Sequence, residues 1–198
     1  MGHYKNYRDL SRDTYLELGV SGLLGWNRDW DVSSGGAVVS RRDYRHAAVL
    51  GADLTVLWEP TGHMRYRNLE WRNEFYWLNK GILAVDNSGR DTLNAWGAYS
   101  YLQAKVTRTL DIGLRGDFYM PDDKDYAGIA GLSLSPLAYV EENAYQWQIC
   151  PYITWHQSPF VKFRLEYDHL DGKSFSEPED RIMLQAVFAV GPHKHERY

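Results

Sequence analysis

Polar and apolar residues alternate with period two along most of this chain. The clearest stretch is Phe160–Leu170, FVKFRLEYDHL, where Val161, Phe163, Leu165 and Tyr167 interleave with Lys162, Arg164, Glu166 and Asp168. Successive side chains on a strand point to opposite faces, so this segment has one apolar and one charged face. The same pattern predicts strands over Tyr15–Trp26, Val49–Trp58, Tyr66–Trp77, Asn94–Val106, Leu110–Tyr119, Gln146–Trp155 and Ile182–Val190. Asn73 interrupts the apolar row of the third of these. Pro151 sits on the apolar side of the Gln146–Trp155 strand, where its missing N–H suggests a bulge.

The connections alternate in kind. Residues 27–44, 79–92 and 171–179 read as long polar loops, whereas Glu59-Pro60-Thr61-Gly62, Thr107-Arg108-Thr109 and Gln157-Ser158-Pro159 read as tight turns. Residues 1–13 read as a polar lead-in, 14–190 as the strand-bearing body and 191–198 as a tail. Residues 125–144 fit either a further strand or a loop. With that segment as a loop, the count is about eight strands, each near the length that crosses a bilayer at a tilt. Even strand counts, short turns at one end and long loops at the other describe an all-β, antiparallel, up-and-down transmembrane β-barrel, or the C-terminal part of a larger one.

Tryptophan placement bears on which solvent the apolar face meets. Trp58 and Trp155 fall near the short turns, and Trp26, Trp77, Trp96 and Trp147 near the long loops. Two aromatic girdles around an aliphatic band are what a bilayer interface selects. The opposite arrangement is a soluble, lipocalin-like β-barrel whose apolar faces turn inward around a small apolar ligand. A structural or adhesion barrel shares the membrane fold without transport.

Composition narrows the function classes. The 198 residues carry a net charge of -4 with both signs interspersed, which offers nucleic acid no basic patch. The 15 Tyr, 8 Trp and 17 Gly suit strands and tight turns. One cysteine, Cys150, excludes an internal disulfide and reads as a small interior residue. No run approaches the ~20 apolar residues of a membrane helix. No signal peptide opens the chain, and an outer-membrane protein needs one, so the expectation is a fragment or a processed form.

The charged faces supply the candidate lumen residues: Glu17, Asp53, Glu70, Arg72, Glu74, Asp111, Arg115, Asp117, Lys162, Arg164, Glu166 and Asp168. In a wide barrel they line a polar pathway. In a narrow closed one they pair as a ladder that fills the interior. Glu70 with Glu74, or Glu166 with Asp168, resemble paired catalytic carboxylates, but strand alternation already accounts for them. No nucleophile elbow or phosphate loop occurs, so no enzyme and no cofactor is expected. His193 and His195 are the weak metal candidates; two ligands are fewer than a stable site uses.

The phrases TYLELGVSGLLGWN, GADLTVLWEP, LNAWGAYSYLQAKVTRTLDIGLRGDFY, PYITWHQSPFVKFRLEYDH and RIMLQAVFAVGPHKHERY resemble the C-terminal half of Gram-negative outer-membrane proteins described as porin-like or zinc-regulated TonB-dependent receptor-like. The resemblance covers nearly all of the chain from Thr14. It implies residence in the cell outer membrane, contact with outer-membrane lipid, insertion by the barrel-assembly machinery and passage of a small solute. A terminal aromatic residue of the kind that machinery reads is present as Tyr198, although Pro192, Lys194 and Glu196 stand where apolar residues usually precede it.

Overall fold

The computed structural model describes residues 1–34, 37–63, 66–83, 90–121, 145–173 and 175–189, with the side chains of 28–43 and 82–91 left aside. Every regular element among them is a strand: β1 (Gly2–Asp9), β2 (Thr14–Ser34), β3 (Ala37–Trp58), β4 (Asn68–Leu83), β5 (Arg90–Lys105), β6 (Leu110–Pro121), β7 (Gln146–Ser158), β8 (Val161–Gly172) and β9 (Glu179–Phe188). They form one nine-stranded sheet in sequence order, with every neighbouring pair antiparallel. The fold is all-β, antiparallel and up-and-down, as the alternation implies. The sheet is not closed: β1 and β9 are its two edges.

The strand count is one higher than expected because residues 2–9 of the polar lead-in form β1. Its residues Tyr4, Asn6 and Arg8 pair with Val20, Leu18 and Leu16 of the apolar row of β2. Two of those three are polar, so alternation of hydrophobicity carries no signal there. Backbone ladder bonds make the strand.

Two expected loops are corrected. Residues 27–34 and 37–44 are the outer halves of β2 and β3, paired out to Ser34 and Ala37 with a register shift between Asn27 and Asp29. Most of 79–92 extends β4 and β5, paired out to Leu83 and Arg90. Ladder hydrogen bonds do not require apolar side chains, so these hairpins outrun the amphipathic pattern. Pro151 also departs from expectation. The β7–β8 register is unchanged on either side of it, at Ile149–His169 and Tyr152–Glu166, and the irregularity falls between His156 and Ser158. The 125–144 segment and the tail lie outside the described residues; β6 and β7, which flank the former, pair directly with each other.

The short connections after β1, β3, β5 and β7 gather along one edge, where they are pinned to one another. Glu59 N–H donates to the Asp13 carbonyl at 2.8 Å, and His156 N–H to the Thr109 carbonyl at 2.7 Å.

Candidate functional site

The register assigns every strand residue to a face. Directly opposed residues share a face, so Glu17, Thr55, Arg72, Tyr101, Arg115 and Cys150 form one continuous row across β2–β7. A second row runs Gly19, Asp53, Glu74, Tyr99, Asp117 and Gln148. All of the charged candidates from Glu17 to Asp168 fall on this polar face. The apolar rows, such as Leu16, Val56, Trp71, Leu102, Leu114 and Pro151, occupy the other.

Burial of the two faces is inverted relative to a water-soluble sheet. On β8, Leu165 is 50 % exposed, whereas Asp168 is 2 % exposed. The buried side chains Asp111, Cys150, Tyr152, Thr154 and Asp168 all belong to the polar face. Leucine, isoleucine, phenylalanine and tryptophan side chains of the apolar face stand uncovered from β2 to β9. A continuous exposed apolar surface of this kind is unusual on a soluble monomer and is the feature a functional reading has to explain.

Buried polar groups must be paired, and most of the polar face is. Lys5 of β1 reaches Glu17 at 3.2 Å and Asp53 at 3.3 Å, with His3 beside Asp53 at 3.6 Å. Arg72 bonds Glu70 along β4. Glu74 accepts from Tyr76 and, at 2.6 Å, from Tyr99. Arg115 donates twice to Asp117, at 3.0 and 2.6 Å. His156 Nε2 lies 2.7 Å from Asp111. Arg164 donates to Thr154 at 3.0 Å and stacks 4.3 Å above the Tyr152 ring. Most of the candidates therefore sit within short pairs, while Asp111 Oδ1, Asp117 Oδ2 and Asp168 Oδ1 are buried without a partner.

Small residues let these groups lie flat. The Asp53 carboxylate fills the space a side chain on Gly19 would need, and so reaches β1 across β2.

The tryptophans fall at two levels along the strands. Trp26, Trp77, Trp96 and Trp147 lie toward the long-connection edge, and Trp58 and Trp155 toward the short-turn edge. Trp147 and Trp155 stand eight residues apart on β7, roughly 27 Å along the strand. Trp71 lies on the same face between the girdles and donates from Nε1 to Ser100 at 3.1 Å. Asn73, the cross-strand partner of Ser100, is not relieved by that bond: its Nδ2 is buried without a hydrogen-bond partner. A hollow of about 840 Å³ runs along this face between Leu18, Leu54, Phe75, Ala98 and Phe118.

Sequence reasoning missed one convergence. Cys150 meets Glu166 and Asp168, with one potential ligand atom of each within 4.8 Å of the others. The signal lay in cross-strand register, which the spacing within either strand does not carry. His193 and His195 lie outside the described residues. No protein-family model, curated protein or solved structure matches this chain.

Proposed function

We propose that this sheet is the wall of a porin-like or receptor-like outer-membrane β-barrel that passes a polar solute along its charged face. The observation that carries the reading is the inverted burial, with apolar side chains bare on one face and paired charges enclosed on the other. The tryptophan spacing supports it through the height of the apolar band. The segregation of short turns to one edge and long hairpins to the other supports it through the asymmetry usual in such barrels. On this reading the protein contacts outer-membrane lipid, is inserted by the barrel-assembly machinery and belongs with the Gram-negative families its strand phrases resemble.

β1 and β9 run in the same direction and keep unpaired edges, so joining them directly would make a parallel seam. The proposal therefore takes the nine strands as an arc of a larger barrel, closed by further antiparallel strands. In that wider barrel the paired charges line a pathway.

A second reading rests on the hollow along the apolar face. A soluble barrel curling the other way would enclose it around a small apolar ligand, in the manner of a lipocalin.

Single-cysteine labelling separates the two. In a Cys150→Ser background reconstituted in lipid vesicles, a lipid-soluble quencher should reach a fluorophore at position 165 and spare one at position 164. Conductance across planar bilayers should follow. Quenching at 164 alone, or a protein that stays monodisperse without detergent, would sink the membrane reading and leave the ligand-binding barrel.

A further inference from the structure

We propose that Cys150, Glu166 and Asp168 form a binding site for a thiophilic divalent cation, set into the polar face between β7 and β8. The β7–β8 register, Ile149 with His169 and Tyr152 with Glu166, leaves Cys150 facing Asp168 and diagonal to Glu166. The three ligand atoms lie within 4.8 Å of one another; with bonds of about 2.3 Å to sulfur and about 2.0–2.2 Å to oxygen, a small inward shift of the side chains closes them on one ion. Cys150 and Asp168 are 1 % and 2 % exposed.

Two further observations point to an occupant. Asp168 Oδ1 is enclosed and has no hydrogen-bond partner, an unusual state for a buried carboxylate oxygen. The arginines of the surrounding wall are bonded elsewhere: Arg115 to Asp117, Arg164 to Thr154, and Arg181 to Glu179 at 2.7 Å. A pair of carboxylates is thus gathered with a thiol, and the hydrogen bonds of the nearby guanidiniums go elsewhere, including those of Arg181, which stands opposite Asp168 across β8–β9. Gln148 Nε2 also donates to Cys150 Sγ at 2.8 Å.

The donor set selects the ion. One sulfur and two carboxylate oxygens suit a borderline or soft dication such as Zn²⁺ or Cd²⁺, whereas Mg²⁺ and Ca²⁺ take oxygen-only shells. Three protein ligands leave a fourth tetrahedral position for water. On binding, the Cys150 S–H bond breaks, its electron pair goes to the metal and its proton to solvent.

Cadmium titration of the full chain folded in detergent tests this, in a His193→Ala/His195→Ala background that removes the tail histidines. Saturable binding of one Cd²⁺ per chain with a thiolate-to-cadmium ultraviolet charge-transfer band is expected. The band should vanish in Cys150→Ser. Affinity should fall about tenfold or more in Asp168→Asn and Glu166→Gln, since even groups one shell out from a metal are commonly worth that much. Circular dichroism confirms that each variant keeps its strands. Absence of the band in the starting protein, or a band whose affinity is unchanged in both carboxamide variants, would overturn the site. The first outcome would leave the two carboxyls sharing a proton, and the second would leave a lone reactive thiol. Neither depends on whether the apolar face meets lipid.

Discussion

Tyr152 lies flat across Gly113. The ring crosses β6 in the space a side chain at 113 would take, and its hydroxyl donates to Gln103 Oε1 on β5 at 3.1 Å. The ring also stacks on Tyr101, 6.1 Å between centroids. One side chain thereby bridges three strands of the polar face. Gly113→Ala should push the ring aside and break the Gln103 bond, at a cost of about 1–3 kcal/mol for the overpacked wall. Urea unfolding in vesicles, followed by tryptophan fluorescence, reads that loss. An alanine variant as stable as the parent would show that the ring has room to move.

Leu114 sits midway between the girdles, in the row of Pro151, and is 49 % exposed. Leu114→Arg should cost about 2–4 kcal/mol if that row lies at the bilayer midplane. The same change on a water-facing strand would stay within about 0.5 kcal/mol. The size of the effect in reversible vesicle unfolding therefore reports the solvent of the apolar face independently of any label.

Asp111 is 6 % exposed, and His156 Nε2 lies 2.7 Å from its Oδ2. Oδ1 of the same carboxylate has no hydrogen-bond partner, so the histidine is a critical contact. His156→Ala should destabilise the short-turn edge by about 1–3 kcal/mol, the usual cost of leaving a buried polar group unpaired. His156→Gln restores a donor and should recover part of it. Equal losses in the two variants would assign the effect to packing.

Asp13 lies in the turn between β1 and β2, and its Oδ1 accepts from the Thr61 backbone N–H at 2.9 Å and from the Thr61 hydroxyl. These bonds, the hydroxyl's first, hold its carboxyl below the ordinary carboxylate value. Folding therefore favours the ionised form. Its contribution is complete above the unfolded carboxylate pKa and is lost as pH falls through the lower folded one. The stability advantage of the parent over Asp13→Asn should be constant near neutrality and shrink in acid. An advantage that persists under strongly acid conditions would show that the carboxylate charge plays no part.

The amino-acid sequence by itself determined the faces. Strict alternation, as from Val161 to Asp168, leaves a strand only one way to sort its side chains, so the charged and apolar faces were readable without coordinates. The tight turns at 59–62 and 107–109 were equally legible, since Pro, Gly and Thr clusters break a strand locally, whereas the turn expected at 157–159 falls at Pro159–Phe160 because pairing with Val161 carries β7 out to Ser158. Tertiary structure decided what depends on the neighbouring chain. β1 and the outer halves of β2–β5 exist through backbone ladders, which are blind to hydrophobicity and so left no period to detect. Pro151 keeps register because the paired strands on both sides hold it there. The meeting of Cys150 with Glu166 and Asp168 follows from how β7 slides against β8, where a shift of one residue would send Cys150 to face a residue of the opposite surface. Periodicity within a strand specifies direction; only pairing between strands specifies company.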